Sequence, residues 1–200
     1  MKLTYKHLIA SSIVCTSLLL QGCAALMFGA VGGAALVGND RRPADTMLGD
    51  ERVEIQIKSR FRQELPPDHN VDVLSYNRVV LLTGTVKTAA QKAQAERVAS
   101  EVPGVRGVNN EVIVGGYDST PCNGDAFLTT QVKARLVGAK LVSPVHVKVT
   151  TESCVVYLMG LVTKAEADEA ARIAASTQGA KRVVRIFEYI AEPSTPAPNS

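Results

Sequence analysis

Four cysteines and three histidines carry most of the chemistry this chain could perform. Cysteine thiols can ligate metal, attack substrates, pair as disulfides or carry acyl chains. Zinc fits poorly, because no CxxC spacing exists and only His69 and His146 lie beyond the N-terminal segment. His69 falls in a loop beside Pro66-Pro67, and His146 falls in the alternating stretch Val145-His146-Val147-Lys148-Val149, which places it outward. Neither belongs to a catalytic motif. The glycine clusters at residues 29–33 and 115–116 form no strand-glycine-helix phosphate loop. The chain therefore reads as non-enzymatic, with no cofactor and no metal.

The remaining thiols are sorted by the segment that delivers them. Lys2 and Lys6 precede an apolar run from Leu8 to Leu20, too short to span a bilayer, and a small residue, Gly22, precedes Cys23. That is the pattern of a secretory signal peptide over residues 1–22. Leu20-Gln21-Gly22-Cys23 resembles the lipobox of bacterial lipoproteins. The resemblance implies cleavage before Cys23 and acylation, palmitate included, on its sulfur and new amino group. Each buried methylene adds about 0.8 kcal/mol of membrane affinity, so several chains anchor firmly. Ala24 follows rather than Asp, which by resemblance to lipoprotein sorting in enteric bacteria implies an outer-membrane, periplasm-facing protein. Cys15 leaves with the signal. Cys122 and Cys154, in a compartment that permits disulfides, either pair or remain two unpaired small residues.

Cleavage removes Lys2 and Lys6, so net charge falls from +3 to +1, too weak to imply a nucleic-acid partner. The chain has no Trp and few aromatics, which also argues against a cell-wall binder that stacks sugar rings.

Residues 23–49 are rich in Ala and Gly and read as a tether, and residues 191–200 hold three prolines and read as a disordered tail. Between them one pattern occurs twice. In the first copy, residues 50–114, Val53, Ile57 and Phe61 line one face of a helix over residues 50–65. A strand at Val71-Asp72-Val73, a turn at Tyr76-Asn77-Arg78 and a fully buried strand ending at Gly84 follow. A helix over residues 89–101 and a strand over residues 108–114 complete it. After a linker at 115–124, residues 125–190 repeat the order. The helices cover residues 125–137 and 165–176, Val155 to Gly160 matches Val79 to Gly84, and residues 183–190 form the last strand. Gly84 and Gly160 are expected where the chain leaves a strand with φ > 0. Each copy reads α-β-β-α-β, giving two α+β domains with a three-stranded mixed sheet packed against two helices.

One helix has an unusual outer side. In residues 125–137, Leu128, Val132 and Leu136 point inward, while Phe127, Thr130, Ala134 and Val137 fall opposite and carry no charge. Lys133 and Arg135 flank that strip, as expected of a helix seated on an anionic bilayer surface. The matching residues of the first copy, Arg52, Ile55, Ser59 and Arg62, make a more polar face. Residues 50–114 hold nine basic and nine acidic side chains, whereas residues 119–190 hold nine and six. An exposed apolar helix face could instead pack on the first copy.

Val79-Val80-Leu81-Leu82-Thr83-Gly84-Thr85-Val86, its counterpart Val155 to Val162, and Val102-Pro103-Gly104-Val105-Arg106-Gly107-Val108-Asn109-Asn110 are similar to the core of BON domains. So is the helix Phe127 to Leu136. A lipobox followed by two such domains resembles the dual-BON outer-membrane lipoproteins. That resemblance implies binding of anionic phospholipid, phosphatidylglycerol or cardiolipin, through the first helix of the second domain. It also implies a role in outer-membrane integrity and presence at division sites. The alternative it leaves open is a protein-interaction module serving outer-membrane assembly machinery. Cys122, Cys154 and the Pro-rich tail depart from the pattern.

Overall fold

The computed structural model describes residues 40–116 and 124–192. Residues 1–39, with Cys15, Cys23 and most of the expected tether, lie outside the described residues, as do Cys122 and residues 193–200.

Helix α1, Ala44–Glu64, begins within the segment expected as tether. The inward row of Val53, Ile57 and Phe61 continues backward as buried Asp50 and Thr46, two polar residues that apolar periodicity does not register. Strands β1 (Asn70–Tyr76) and β2 (Val79–Val86) form an antiparallel hairpin with Tyr76 opposite Val79. Its two turn residues, Asn77 and Arg78, have φ of 50° and 64°, the twist that a two-residue hairpin requires. Helix α2, Ala89–Ser100, opens on a capping box in which Thr88 and Gln91 satisfy each other's backbone amides. The chain then returns parallel to β2 as β3 (Gly107–Asn110) and β4 (Ile113–Val114). The expected single last strand is broken because Val112 turns inward and is buried with the core, its amide donating to Asn110 Oδ1 at 3.3 Å.

The second domain repeats this order. Helix α3 spans Asp125–Val137, and a 3-10 turn, Pro144–His146, leads into β5 (Val147–Glu152). Strand β6 is Val155–Val162, α4 is Lys164–Ala175 with a Thr163/Glu166 capping box, and β7 is Arg182–Tyr189. In this domain the last strand is continuous along β6.

The expected positive φ occurs at Gly84 but not at Gly160, and neither glycine lies at a strand end. Gly84 lies inside β2, not at its end, at φ 99°, and a Cβ there would stand 1.9 Å from the Asn70 carbonyl oxygen. Gly160 has no positive φ; its Cβ would meet the His146 carbonyl oxygen at 2.5 Å, so close backbone approach is what requires glycine.

The central strands are buried on both faces. Val80 and Leu82 enter the first domain's core, and Val156, Leu158 and Val162 enter the second. Between them, Leu81, Tyr76, Tyr157 and Met159 form a third buried cluster, joined by Val79, Val155 and Ile186. The two sheets therefore pack back to back through the faces that the helices leave open. A polar rim surrounds this interface: Lys148 Nζ meets Glu54 at 3.2 Å, Arg182 meets Glu111 at 3.1 Å, and Glu188 pairs with Arg106 while accepting from Asn77 Nδ2.

Candidate functional site

Because the sheets carry the interdomain contact, the outer side of α3 stays open. Leu128, Val132 and Leu136 are buried, which fixes the helix rotation and turns the opposite side outward. Phe127 is 53% exposed and Val137 72% exposed, with Thr130, Lys133 and Ala134 also at the surface. Thr130 Oγ1 donates to the Ala126 carbonyl at 2.9 Å, so its hydroxyl is satisfied within the helix and costs less to remove from water. Lys133 forms no ion pair among the described residues. Phe127 belongs to none of the three buried clusters, including the one between the sheets where the alternative reading would place it.

Arg135 also makes contacts within the fold. Its guanidinium turns toward the C-terminal end of α4, where it donates to the Ile173 carbonyl at 3.3 Å, Thr177 Oγ1 at 2.9 Å and Ser176 Oγ at 3.0 Å. A cation at the last turn satisfies orphan carbonyls and complements the helix dipole. It joins α3 to α4 while remaining exposed, and all three acceptors are uncharged.

Leu141 was missed by the sequence reading. It is 61% exposed, and its amide, with that of Val142, donates to Glu169 Oε2 at 2.7 and 3.0 Å. Glu169 thus holds the loop after α3 in place. The row of Phe127, Thr130, Ala134 and Val137 continues by four residues to Leu141, which is the signal that could have found it. Lys140 beside it is also exposed. The site is a strip with apolar groups at both ends and lysines along its edge. At the matching face of the first domain Ile55 is exposed among charged neighbours, and Leu48 is exposed nearer the start of α1.

The remaining chemistry-bearing residues are structural. His146 is buried in the 3-10 turn, not outward on a strand, and its Nδ1 lies 3.6 Å from Glu166. His69 packs edge-on against Phe61, with ring centroids 6.1 Å apart. Cys154 is buried and disulfide-bonded at the β5–β6 turn; Cys122, the partner considered from the sequence, lies outside the described residues. Among the described residues no group of three or more His, Cys, Asp or Glu side chains could hold a metal ion, and no helix is long and apolar enough to cross a membrane.

Glu166 is the most heavily engaged carboxylate near this site. Burial pushes its pKa up, but hydrogen bonds from Arg41 and from the Thr163 amide outweigh that and hold it below the usual carboxylate value.

The BON domain pattern matches residues 49–116 and again 124–191. Outer membrane lipoprotein DolP of Haemophilus influenzae is 35% identical over 177 residues, covering 87% of this chain and 92% of that protein. A 21 kDa hemolysin of Actinobacillus pleuropneumoniae is 30% identical, covering 76% of this chain and 79% of its own. Osmotically-inducible protein Y of Escherichia coli is 35% identical over 57% of this chain and 59% of its own.

Proposed function

The chain belongs to the BON-domain family, and on that premise we propose that it is an outer-membrane lipoprotein that binds anionic phospholipid through α3. In this reading Cys23 is acylated and holds the protein in the leaflet, the folded domains face the periplasm, and the protein supports membrane integrity, including at division sites. It performs no catalysis. The observation that carries the reading is the uncharged α3 strip, open to solvent while the sheets make the interdomain contact. Burying Phe127, Val137 and Leu141 in an interfacial layer contributes at most about 1.5–3 kcal/mol each. Lys133 and Lys140 add about 1 kcal/mol apiece toward anionic headgroups. The similarity to a relative named as an outer membrane lipoprotein supports the location.

The test uses the mature chain with Cys23→Ser, which removes the anchor. Its sedimentation with phosphatidylcholine vesicles is compared with and without phosphatidylglycerol or cardiolipin, alongside Phe127→Glu. Binding that requires anionic lipid, weakens with salt and falls at least about tenfold in Phe127→Glu supports the reading. No binding to any vesicle overturns it. Intact vesicle binding with loss of captured assembly proteins in Phe127→Glu favours a protein-interaction module instead.

A further inference from the structure

Two consecutive arginines ahead of α1 go to different domains. Arg42 stays with the first domain, donating to Asp50 Oδ2 at 2.9 Å and lying 3.8 Å over the Tyr76 ring. Arg41 crosses to the second. Its guanidinium makes a two-pronged contact with Glu166, at 2.7 and 2.8 Å, and donates to the Leu161 carbonyl at 3.0 Å. Such forked pairs fix orientation as well as adding energy. Glu166 is well held for the purpose: it is nearly buried, and its Oε2 also accepts the Thr163 amide at 2.7 Å.

Arg41 is thus held on the second domain, although the helix that follows it belongs to the first. Arg41 lies next to the candidate site. Arg41, Leu141, Thr163, Ala165, Glu166 and Glu192 line one surface hollow, and Leu141 is the exposed apolar residue at the end of the α3 strip. Seventeen residues, Ala24 to Asp40, separate Arg41 from Cys23. Even fully extended, seventeen residues reach at most about 60 Å, so the point from which they start can bias which face of the body meets the bilayer.

We propose that the Arg41–Glu166 clasp is an alignment device that fixes the exit of the acylated segment at the Leu141 end of α3, so that anchor and helix strip address the same anionic leaflet. This rests on the lipid reading above. Arg41 is a positioning residue here: it acts on the effective concentration of the strip at the surface, not on lipid affinity itself. Glu166 and Arg41 support each other electrostatically, since the carboxylate's pKa is lowered and the guanidinium's raised by their contact.

The chain contains no tryptophan, so Phe127→Trp creates a unique reporter. The acylated mature protein carrying it is reconstituted in phosphatidylglycerol-containing vesicles with brominated phospholipid, and quenching is read with and without Arg41→Gln. Glu166→Gln, which keeps an acceptor for the Thr163 amide, serves as the second variant. Each variant is also made unacylated, with Cys23→Ser, and its affinity for the same vesicles is measured. The expected result is a drop in quenching of at least about twofold in both variants, with unacylated affinities unchanged. Equal quenching with and without the clasp overturns the alignment role and leaves the lipid reading standing. Absent quenching with Arg41 intact overturns the lipid reading, and the alignment role with it. Loss of unacylated affinity in Arg41→Gln also overturns the proposal, since Arg41 would then act on lipid or fold directly.

Discussion

Asp50 and Asp125 hold the same position in the two repeats: each carboxylate reaches from the first helix of its domain to both amides of the following left-handed hairpin turn. Asp50 accepts from Asn77 and Arg78 at 2.8 and 2.7 Å, and Asp125 from Ser153 and Cys154 at 2.9 and 2.8 Å. None of these four turn residues is glycine, and all have φ between 50° and 64°. Backbone held there costs of order 1–3 kcal/mol per strained residue unless its surroundings enforce it. Asp50→Ala is expected to destabilise the protein by about 2–3 kcal/mol, because Ser75 Oγ also loses its partner at 2.8 Å. Adding Arg78→Gly should recover about 1 kcal/mol, since glycine takes the turn conformation without strain. Urea unfolding of the single and double variants checks both figures.

Gly84→Ala and Gly160→Ala should differ in severity. A Cβ at Gly84 meets a carbonyl oxygen at 1.9 Å and also sits at φ 99°, so sterics and backbone strain add. A loss of about 4 kcal/mol or more is expected. At Gly160 the contact is 2.5 Å and no positive φ is involved, so a shift of the 3-10 turn can absorb part of it. About half the loss is expected there. Thermal unfolding of the two variants side by side decides the order.

The sequence shows α3 to the residue because its inward row is complete and glycines stand at both ends, Gly124 and Gly138. It misses the start of α1 because the inward row there passes through Thr46 and Asp50, whose burial depends on partners elsewhere. Continuous apolar runs identify β2 and β6 as buried on both faces, but nothing local says that each covers the other. His146 escapes the alternation because the strand starts one residue later, after a 3-10 turn that changes which way side chains point. The contacts of Arg135 escape the sequence for a different reason: a long side chain reaches to whichever neighbour the fold supplies, here the end of α4.

Leu81 and Leu82 are neighbours with opposite duties, and substituting them should have different consequences. Leu82 belongs to the first domain's core and Leu81 to the cluster between the sheets. Leu82→Ala is expected to destabilise the first domain by about 2–5 kcal/mol. Leu81→Asp places a charge between the sheets, so the domains should separate while each keeps its own core. Unfolding followed by calorimetry should then change from one transition to two in Leu81→Asp, but stay single and shift downward in Leu82→Ala.

Tyr157 makes the sheet interface sensitive to alkali. Burial pushes its phenol pKa up, reinforced by Glu111 and partly offset by Arg182, to about 12. The folded value lies above the ordinary value of 10.0, so the unfolded chain ionises first as pH rises. The contribution of Tyr157 is therefore intact below pH 10 and declines as pH climbs through the interval to about 12. Glu166 gives the opposite dependence at the acid end: its lowered value means that its contribution is present above the usual carboxylate range and is lost as pH falls through that value. Between these ends the protein should be most stable. Phenolate absorbance followed during alkaline titration should show a late step near pH 12 that accompanies separation of the sheets and is missing from Tyr157→Phe. Persistence of that step in Tyr157→Phe would assign it to another tyrosine and remove the alkaline sensitivity from this residue.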